Sequence, residues 1–214
     1  MSSLLIDDDN HDWQRIALAD ADLCWRPHWL DAAESDTLFA ALHAAIPWEN
    51  HSLRMFGREV AAPRMSCWIG DAGASYTYSR RRYEPHPWPL LLAELRTRVE
   101  QACGSRFNSV LANLYRDGAD TMGWHSDAEP ELGERPVIAS LSLGAERTFR
   151  LRRKLSRGES VPPALNLPLP HGSLLRMAGD TQTHYRHALP RERGESAARI
   201  NLTFRLIQPA RLPQ

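Results

Sequence analysis

The sequence of 214 residues has no long hydrophobic run, 3 cysteines and a single lysine. No stretch approaches the ~18 consecutive apolar residues of a transmembrane helix, so no membrane span is expected. Residues 1–12 include three consecutive aspartates and no apolar segment of signal-peptide length, so no secretory signal is expected either. An odd number of cysteines without Cys-x-x-Cys spacing argues against disulfides and against a thiolate zinc site. We therefore expect a cytoplasmic protein without a membrane or an obligate protein partner.

Charge is balanced overall but unevenly distributed along the chain. Residues 1–36 contain nine acidic and two basic residues, whereas the remainder has a net charge of +7. The arginines cluster at residues 80–82 and again between residues 147 and 157. Each cluster is either an ordinary solvated face or a surface for nucleic-acid phosphates. The second cluster consists of Arg147, Arg150, Arg152, Arg153, Lys154 and Arg157.

The periodicity of apolar residues changes near Gly104. Before it, helical spacing predicts helices over residues 34–46, capped by Ser35 or Asp36, and over about 88–103, ending at Gly104. After it, period-two alternation separated by turn residues predicts short strands. The predicted strands cover residues 107–115, 137–143, 148–152, 173–177 and 198–207. Helices followed by strands are typical of an α+β, mainly β fold, a β-sandwich or jelly roll with helices packed outside.

Three segments can be distinguished along the chain. Residues 1–22 are acidic and without periodicity, and we expect them to be flexible. Residues 23–104 form an N-terminal extension that contains the helices, and residues 105–210 form the strand-rich core. We expect one folded domain over residues 23–210.

The last predicted strand has two chemically distinct faces. Ile200, Leu202, Phe204 and Leu206 lie on one face, and Arg199, Asn201, Thr203 and Arg205 lie on the other. If water covers the polar face, the arginines need no explanation. If that face points inward, its guanidinium groups need an anion, because an unpaired buried charge is costly. Two planar guanidinium forks suit the bidentate binding of carboxylates.

The sequence His-Ser-Asp at residues 125–127 is a possible metal-binding pair. On a strand, His125 and Asp127 would point the same way and could reach one ion. A third ligand could be His171, His184 or His187. Two histidines and one carboxylate on one side of a metal suit non-haem Fe(II) with O₂ and a co-substrate. Zinc is the competing metal, but a zinc hydrolase would not explain two inward arginines.

Several motifs in a fixed order resemble the AlkB family of Fe(II)/2-oxoglutarate-dependent dioxygenases. They are Asn-Leu-Tyr at 113–115, His-Ser-Asp-Ala-Glu at 125–129, the histidine at 187 and Arg-Ile-Asn-Leu-Thr-Phe-Arg at 199–205. The resemblance covers most of residues 47–207 and is greatest to the branch that repairs alkylated bases in duplex DNA. It implies a double-stranded β-helix (jelly-roll) core, and a nucleotide-recognition region within residues 23–104.

The resemblance also implies a role for individual residues. The metal-binding and catalytic residues would be His125, Asp127 and His187. The residues that bind 2-oxoglutarate would be Asn113, Tyr115, Arg199, Asn201 and Arg205. The residues that bind the nucleic acid would be Phe56, Arg64, Tyr76, Tyr78 and Glu129. Fe(II), 2-oxoglutarate as co-substrate and O₂ are the implied cofactors.

Within the nucleic-acid set, Tyr78 would stack on a flipped base, and Tyr76 would line the same pocket or touch the backbone. Glu129 would favour a cationic ring, and Phe56 would fill the gap in the base stack. The alternatives are a core position for Phe56, ordinary strand aromatics at the tyrosines and a solvated loop position for Glu129.

The implied reaction is oxidative dealkylation of 1-methyladenine or 3-methylcytosine in DNA, most simply double-stranded DNA. It would consume 2-oxoglutarate and O₂ and release succinate, CO₂ and formaldehyde. The resemblance thus implies a protein that works at the nucleoid of a bacterial-type cell. Three alternatives stay open at this point. They are the same chemistry on RNA or single strands, an oxygenase of protein or small-molecule substrates, and a catalytically inactive protein that uses the fold to hold alkylated DNA.

Overall fold

The structure is a computed structural model that describes residues 13–55, 58–78, 81–155, 163–192 and 197–208. The helices are α1 (Ala32–Ala45), α2 (Leu90–Cys103) and α3 (Thr181–His184). The strands are β1 (Gln14–Arg15), β2 (Asp22–Arg26), β3 (Glu49–Met55), β4 (Arg58–Gly70), β5 (Tyr76–Tyr78), β6 (Arg81–Tyr83), β7 (Ser109–Tyr115), β8 (Met122–His125), β9 (Ile138–Gly144), β10 (Arg147–Arg153), β11 (Leu165–Leu169), β12 (Ser173–Ala178), β13 (Tyr185–Leu189) and β14 (Arg199–Arg205). No helix in these ranges has the length and apolar character needed to cross a bilayer.

Two antiparallel sheets form the body of the molecule. The larger sheet has the strand order β1-β2-β12-β9-β14-β7-β4-β3, and the smaller has the order β11-β10-β13-β8. Strands β5 and β6 form a separate hairpin. The sheets enclose a core that includes Phe149, Leu151 and Leu175, while α1 and α2 pack on the outside of the larger sheet. The predicted jelly roll with external helices is confirmed.

Strand β14 lies between β9 and β7 in the larger sheet. Ile200, Leu202 and Phe204 are fully buried and belong to the same core cluster as the apolar residues of α1 and α2. Arg199 and Arg205, which alternate with them, are also buried, with 2% and 3% exposure. The polar face of β14 therefore points into the space between the sheets, and neither face meets bulk water.

The helices lie close to their predicted positions, but the cap of α1 differs. Asp31 is the N-cap, and its carboxylate accepts the Glu34 N–H at 2.8 Å. Ser35 and Asp36, the predicted caps, lie inside the helix, and Ser35 is fully buried. Apolar residues at helical spacing begin only at Leu38, so the sequence pattern does not reveal the first turn of α1 and the cap was predicted too late in the chain. Gly104 ends α2 with a left-handed φ of 60°, as predicted.

The order of elements also differs from the prediction, because six strands precede α2. Strand β4 contains Pro63 and lacks a clean alternation, yet it pairs with β7 and β3 in the larger sheet. Residues 23–104 thus contribute strands to the same sheet as the core. Of the segment 1–22 that was expected to be flexible, residues 1–12 lie outside the described part. Residues from Trp13 onward pack against the core, which contradicts that expectation for them.

Gly144 gives a test of this fold. It has φ +89°, and a Cβ at this position would collide with the Ala198 carbonyl oxygen and lie 2.8 Å from the Phe39 ring. Gly73 has nearly the same φ, +88°, but a Cβ there would meet nothing within 4 Å. We expect Gly144→Ala to lower the free energy of unfolding by ~1–3 kcal/mol more than Gly73→Ala, because only Gly144 adds overpacking to backbone strain. Urea denaturation of both variants measures the difference, and equal losses would contradict this packing.

Candidate active site

Two histidines and an aspartate from distant parts of the chain meet between the sheets. His125 ends β8 and is paired in register with His187 on β13. Asp127 follows two residues after His125. The His125 Nε2 atom lies 3.8 Å from Asp127 Oδ1, and the His187 Nε2 atom lies 4.0 Å from Asp127 Oδ2. One ligand atom from each of the three lies within 4.8 Å of the others.

The His125 imidazole is oriented to bind a metal through Nε2, and the His187 imidazole is buried beside it. His125 Nδ1 lies 2.8 Å from the Gly123 carbonyl oxygen, which can only accept, so Nδ1 carries the proton and Nε2 is free to bind. His187 packs against the Phe149 ring, with centroids 5.2 Å apart. Burial lowers the pKa of His187 to about 3, which keeps the imidazole neutral at physiological pH. Neutral imidazole is the form that binds metals.

Asp127 is 2% exposed and is held in the ionised form. Burial alone would raise its pKa, but the adjacent Arg205 guanidinium outweighs burial and holds the pKa of this carboxyl below its usual value. Arg205 donates to Asp127 Oδ1 at 2.8 Å. Two imidazoles and a carboxylate on one side of a pocket are the donor set of non-haem Fe(II). The residues present therefore fit iron.

Arg199 forms a second, cationic part of the same pocket. Its Nη2 donates to Ser142 Oγ at 2.8 Å, and its Nε has no hydrogen-bond partner among the described residues. The guanidinium carbon lies 5.4 Å from the centroid of the Tyr115 ring. Burial lowers the pKa of Arg199 to about 10, so it remains charged at neutral pH. Among the described residues Arg199 forms no direct ion pair with a carboxylate, and a buried guanidinium of this kind could bind an anion.

The predicted amides lie in the same pocket and are already oriented by hydrogen bonds. Asn201 Nδ2 donates to Ser140 Oγ at 2.8 Å. Asn113 Oδ1 accepts from Arg64 Nε at 3.0 Å. Arg64, predicted to contact the nucleic acid, is 7% exposed and its guanidinium lies beside these amides inside the pocket. Arg64 also donates to the Thr121 carbonyl oxygen at 3.3 Å.

The structure describes only some of the other residues predicted to bind nucleic acid. Phe56 lies outside the described residues. Tyr76 and Tyr78 begin and end β5, and their backbones pair with β6. Glu129 lines the pocket that contains the side chains of His125, Asp127 and His187. Glu49, which no sequence pattern indicated, also lines this pocket, and its Oε1 atom lies 3.0 Å from His86 Nε2.

The other histidines considered as ligands have structural contacts. His171 Nδ1 accepts the Gly144 N–H at 2.8 Å, and its Nε2 lies 3.1 Å from Asp36. His184 ends α3 and lies outside the cluster of ligand atoms. Of the three histidines considered, His187 is therefore the one that lies with His125 and Asp127 and could complete a metal site.

The basic residues between 147 and 157, predicted as a possible phosphate-binding cluster, have different surroundings in the structure. Arg147 is 1% exposed and cannot contact a phosphate on the surface. It donates to the carbonyl oxygens of Asp120 at 2.9 Å and of Pro190 at 2.7 Å. Arg153 forms an ion pair with Asp20 at 2.6 Å. Arg157 lies outside the described residues.

Two arginines of the cluster, Arg150 and Arg152, lie on the outer face of the smaller sheet, where they could contact phosphates. The guanidinium carbons of Arg152 and Arg150 lie 4.3 and 5.8 Å from the centroid of the Trp124 ring. Arg186 is exposed on β13, in register with Arg152. These three arginines have no ion-pair partner in the described part of the chain. We call Arg150, Arg152, Arg186 and Trp124 the outer basic face.

Comparisons with known proteins agree with this geometry. Residues 22–205 match the sequence profile of the 2OG-Fe(II) oxygenase superfamily. The chain is 40% identical over 192 residues to the human alpha-ketoglutarate-dependent dioxygenase alkB homolog 3, an alignment that covers 87% of this chain and 66% of that protein. It is 42% identical over 181 residues to the human DNA oxidative demethylase ALKBH2, with 82% of this chain and 69% of that protein covered. The solved structure of OsALKBH1 has a TM-score of 0.61 at 15% identity, over 91% of this chain and 99% of that chain, which is a likeness of fold.

The chain thus spans about two thirds of the length of the first of these relatives. The matched region contains both sheets apart from the edge strand β1, together with the histidine–aspartate cluster and Arg199. The profile and the identity to two sets of relatives lead to the same assignment. This chain belongs to the 2OG-Fe(II) oxygenase superfamily and, within it, to the AlkB family.

Proposed function

We propose that this protein is a Fe(II)- and 2-oxoglutarate-dependent dioxygenase that removes alkyl groups from nucleic-acid bases. The preferred substrates are 1-methyladenine and 3-methylcytosine in DNA. The observation that carries the proposal is one pocket that contains both the His125–Asp127–His187 cluster and the buried Arg199. When bound, iron and 2-oxoglutarate supply the oxidation by O₂ that converts an N-methyl group to formaldehyde, with succinate and CO₂ as co-products.

The protein's own residues supply binding and orientation. His125, Asp127 and His187 would hold the iron, and Arg205 keeps the aspartate charged. Arg199 would bind the carboxylate of 2-oxoglutarate that lies farther from the metal, because its free Nε and charge require an anion. Ser142 holds this guanidinium in place at 2.8 Å. Asn113, Asn201 and Tyr115 would add polar contacts to the co-substrate.

Recognition of the base would use the mouth of the same pocket. An alkylated base must leave the duplex stack to reach the iron, and a damaged, poorly paired base does so at lower cost. Glu129 lines the pocket, and its carboxylate would favour the cationic rings of 1-methyladenine and 3-methylcytosine over neutral bases. The relative named DNA oxidative demethylase supports DNA as the substrate. Phe56, Tyr76 and Tyr78 would complete the base-binding site.

Formaldehyde release tests the proposed reaction. We expect the metal-loaded protein to produce formaldehyde from oligonucleotides that carry 1-methyladenine or 3-methylcytosine, and we expect His187→Ala and Asp127→Ala to abolish it. His184→Ala is the matched control and should retain turnover, because this histidine lies outside the ligand cluster. Matched single- and double-stranded substrates measure the strand preference. No formaldehyde from any methylated oligonucleotide would disprove the proposal.

The role of Arg199 is tested by a charge-conserving change. We expect Arg199→Lys to raise the KM for 2-oxoglutarate by on the order of 10-fold or more, because an ammonium cannot reproduce the planar guanidinium fork. Arg106→Lys is the control, since Arg106 is 87% exposed and pairs only with Glu100 on the surface. Steady-state kinetics with varied 2-oxoglutarate distinguishes the two. An unchanged KM in Arg199→Lys would show that the co-substrate binds elsewhere.

The outer basic face would contact phosphates beside the pocket. We expect Arg150→Ala and Arg152→Ala each to reduce the slope of log affinity against log salt by about one, the value for one lost phosphate contact. Arg153→Ala should leave the slope unchanged, because Asp20 already neutralises this arginine. Fluorescence anisotropy with labelled duplex at several salt concentrations measures the slopes. If the slope is equal in all three variants and in the parent, the outer basic face does not bind phosphates.

A further inference from the structure

The metal ligand Asp127 lies beyond the last residue of β8, so no strand pairing fixes its backbone. Two hydrogen bonds hold this turn instead. The Asp127 N–H donates to the side-chain oxygen of Gln182 at 2.9 Å. The preceding Ser126 hydroxyl donates to the Tyr185 carbonyl oxygen at 2.9 Å. Both acceptors belong to the junction between α3 and β13, which leads directly to His187.

Gln182 is itself fixed on several sides. It is 3% exposed, and its amide nitrogen lies 3.5 Å from the sulfur of Met177. Its backbone carbonyl accepts from Lys154 Nζ at 2.7 Å. The side-chain oxygen of Gln182 is therefore presented to Asp127 by a rigid segment.

We propose that Gln182 is a positioning residue that sets the direction of the Asp127 carboxylate at the metal site, an inference that rests on the proposed function. Gln182 fixes the main chain of Asp127, and Arg205 fixes one carboxylate oxygen at 2.8 Å. Together they leave the other oxygen, Oδ2, facing His187 Nε2 at 4.0 Å.

The hydrogen bond from Asp127 N–H to Gln182 matters because this N–H is buried. A buried N–H that loses its acceptor must find another, because an unpaired buried donor is unfavourable. Without the Gln182 oxygen the turn would rearrange, and the Asp127 carboxylate would move with its backbone. Partners that orient metal ligands commonly account for about 10- to 100-fold in metal affinity.

Metal affinity provides a test that does not depend on turnover. We expect Gln182→Met, which keeps the shape but removes the acceptor, to raise the dissociation constant for Mn(II) about 10-fold or more in the full-length chain. Gln182→Glu keeps an oxygen at the same position and should restore most of the affinity. The visible spectrum of the Co(II)-loaded protein should change in Gln182→Met and return in Gln182→Glu. Calorimetric titration of the metal-free protein measures the affinities.

Thr181→Val is the matched control for the stability of α3. It removes the hydroxyl contacts of Thr181 with Ala178 and Asp22 but leaves the Asp127 contact in place. It should lower the melting temperature without changing Mn(II) affinity. If Gln182→Met does not fold, Ser126→Ala removes the other hydrogen bond of the same turn and is expected to weaken Mn(II) binding in the same direction.

The outcomes distinguish this inference from the proposed function. Mn(II) affinity within about 2-fold of the parent in Gln182→Met, or in Ser126→Ala where that variant replaces it, would overturn the positioning role. Failure of Gln182→Glu to restore affinity would overturn it as well. If the parent protein binds no Mn(II), or His187→Ala binds it equally well, the metal site and the proposed function fail instead, and the inference fails with them.

Discussion

Arg199 lies between the two sheets, where burial opposes its charge and lowers its pKa to about 10. In the described chain, Ser142 is its hydrogen-bond partner and no carboxylate neutralises it. An interior cation of this kind is tolerated only if the pocket binds an anion or retains water. The neighbouring amides Asn113 and Asn201 extend the polar lining of the same pocket. The interior is therefore polar where a jelly roll would otherwise be packed with apolar side chains.

The register between β8 and β13 imposes a second constraint. His125 lies opposite His187, and a shift of one residue would turn one imidazole to the outer face. Phe149 on β10 packs against the His187 ring from the same sheet. The position of Asp127, by contrast, depends on side chains from outside the smaller sheet, those of Gln182 and Arg205. Strand pairing thus positions the two histidines of the cluster, and tertiary contacts position the aspartate.

Much of the fold and of the site could be predicted from local patterns. Alternation along β14 separated its apolar and polar faces, and Gly104 marked the end of α2 because only a left-handed residue fits there. Strand β4 was missed, since its pattern is irregular and its partners β3 and β7 decide its conformation. Arg147 was misread as a surface residue, because its sequence neighbours are basic while its partners are carbonyl oxygens far along the chain.

The sequence by itself determined the mainly β architecture, the candidate metal-binding pair at residues 125–127 and the family motifs around it, because these depend on residues close together in the chain. Only the tertiary structure decided that the polar face of β14 is buried, that Arg147 is internal and that Gln182 supports Asp127. These features depend on which strands pair and which faces are covered. Pairing over long sequence distances leaves no local pattern, so residue spacing alone does not reveal it.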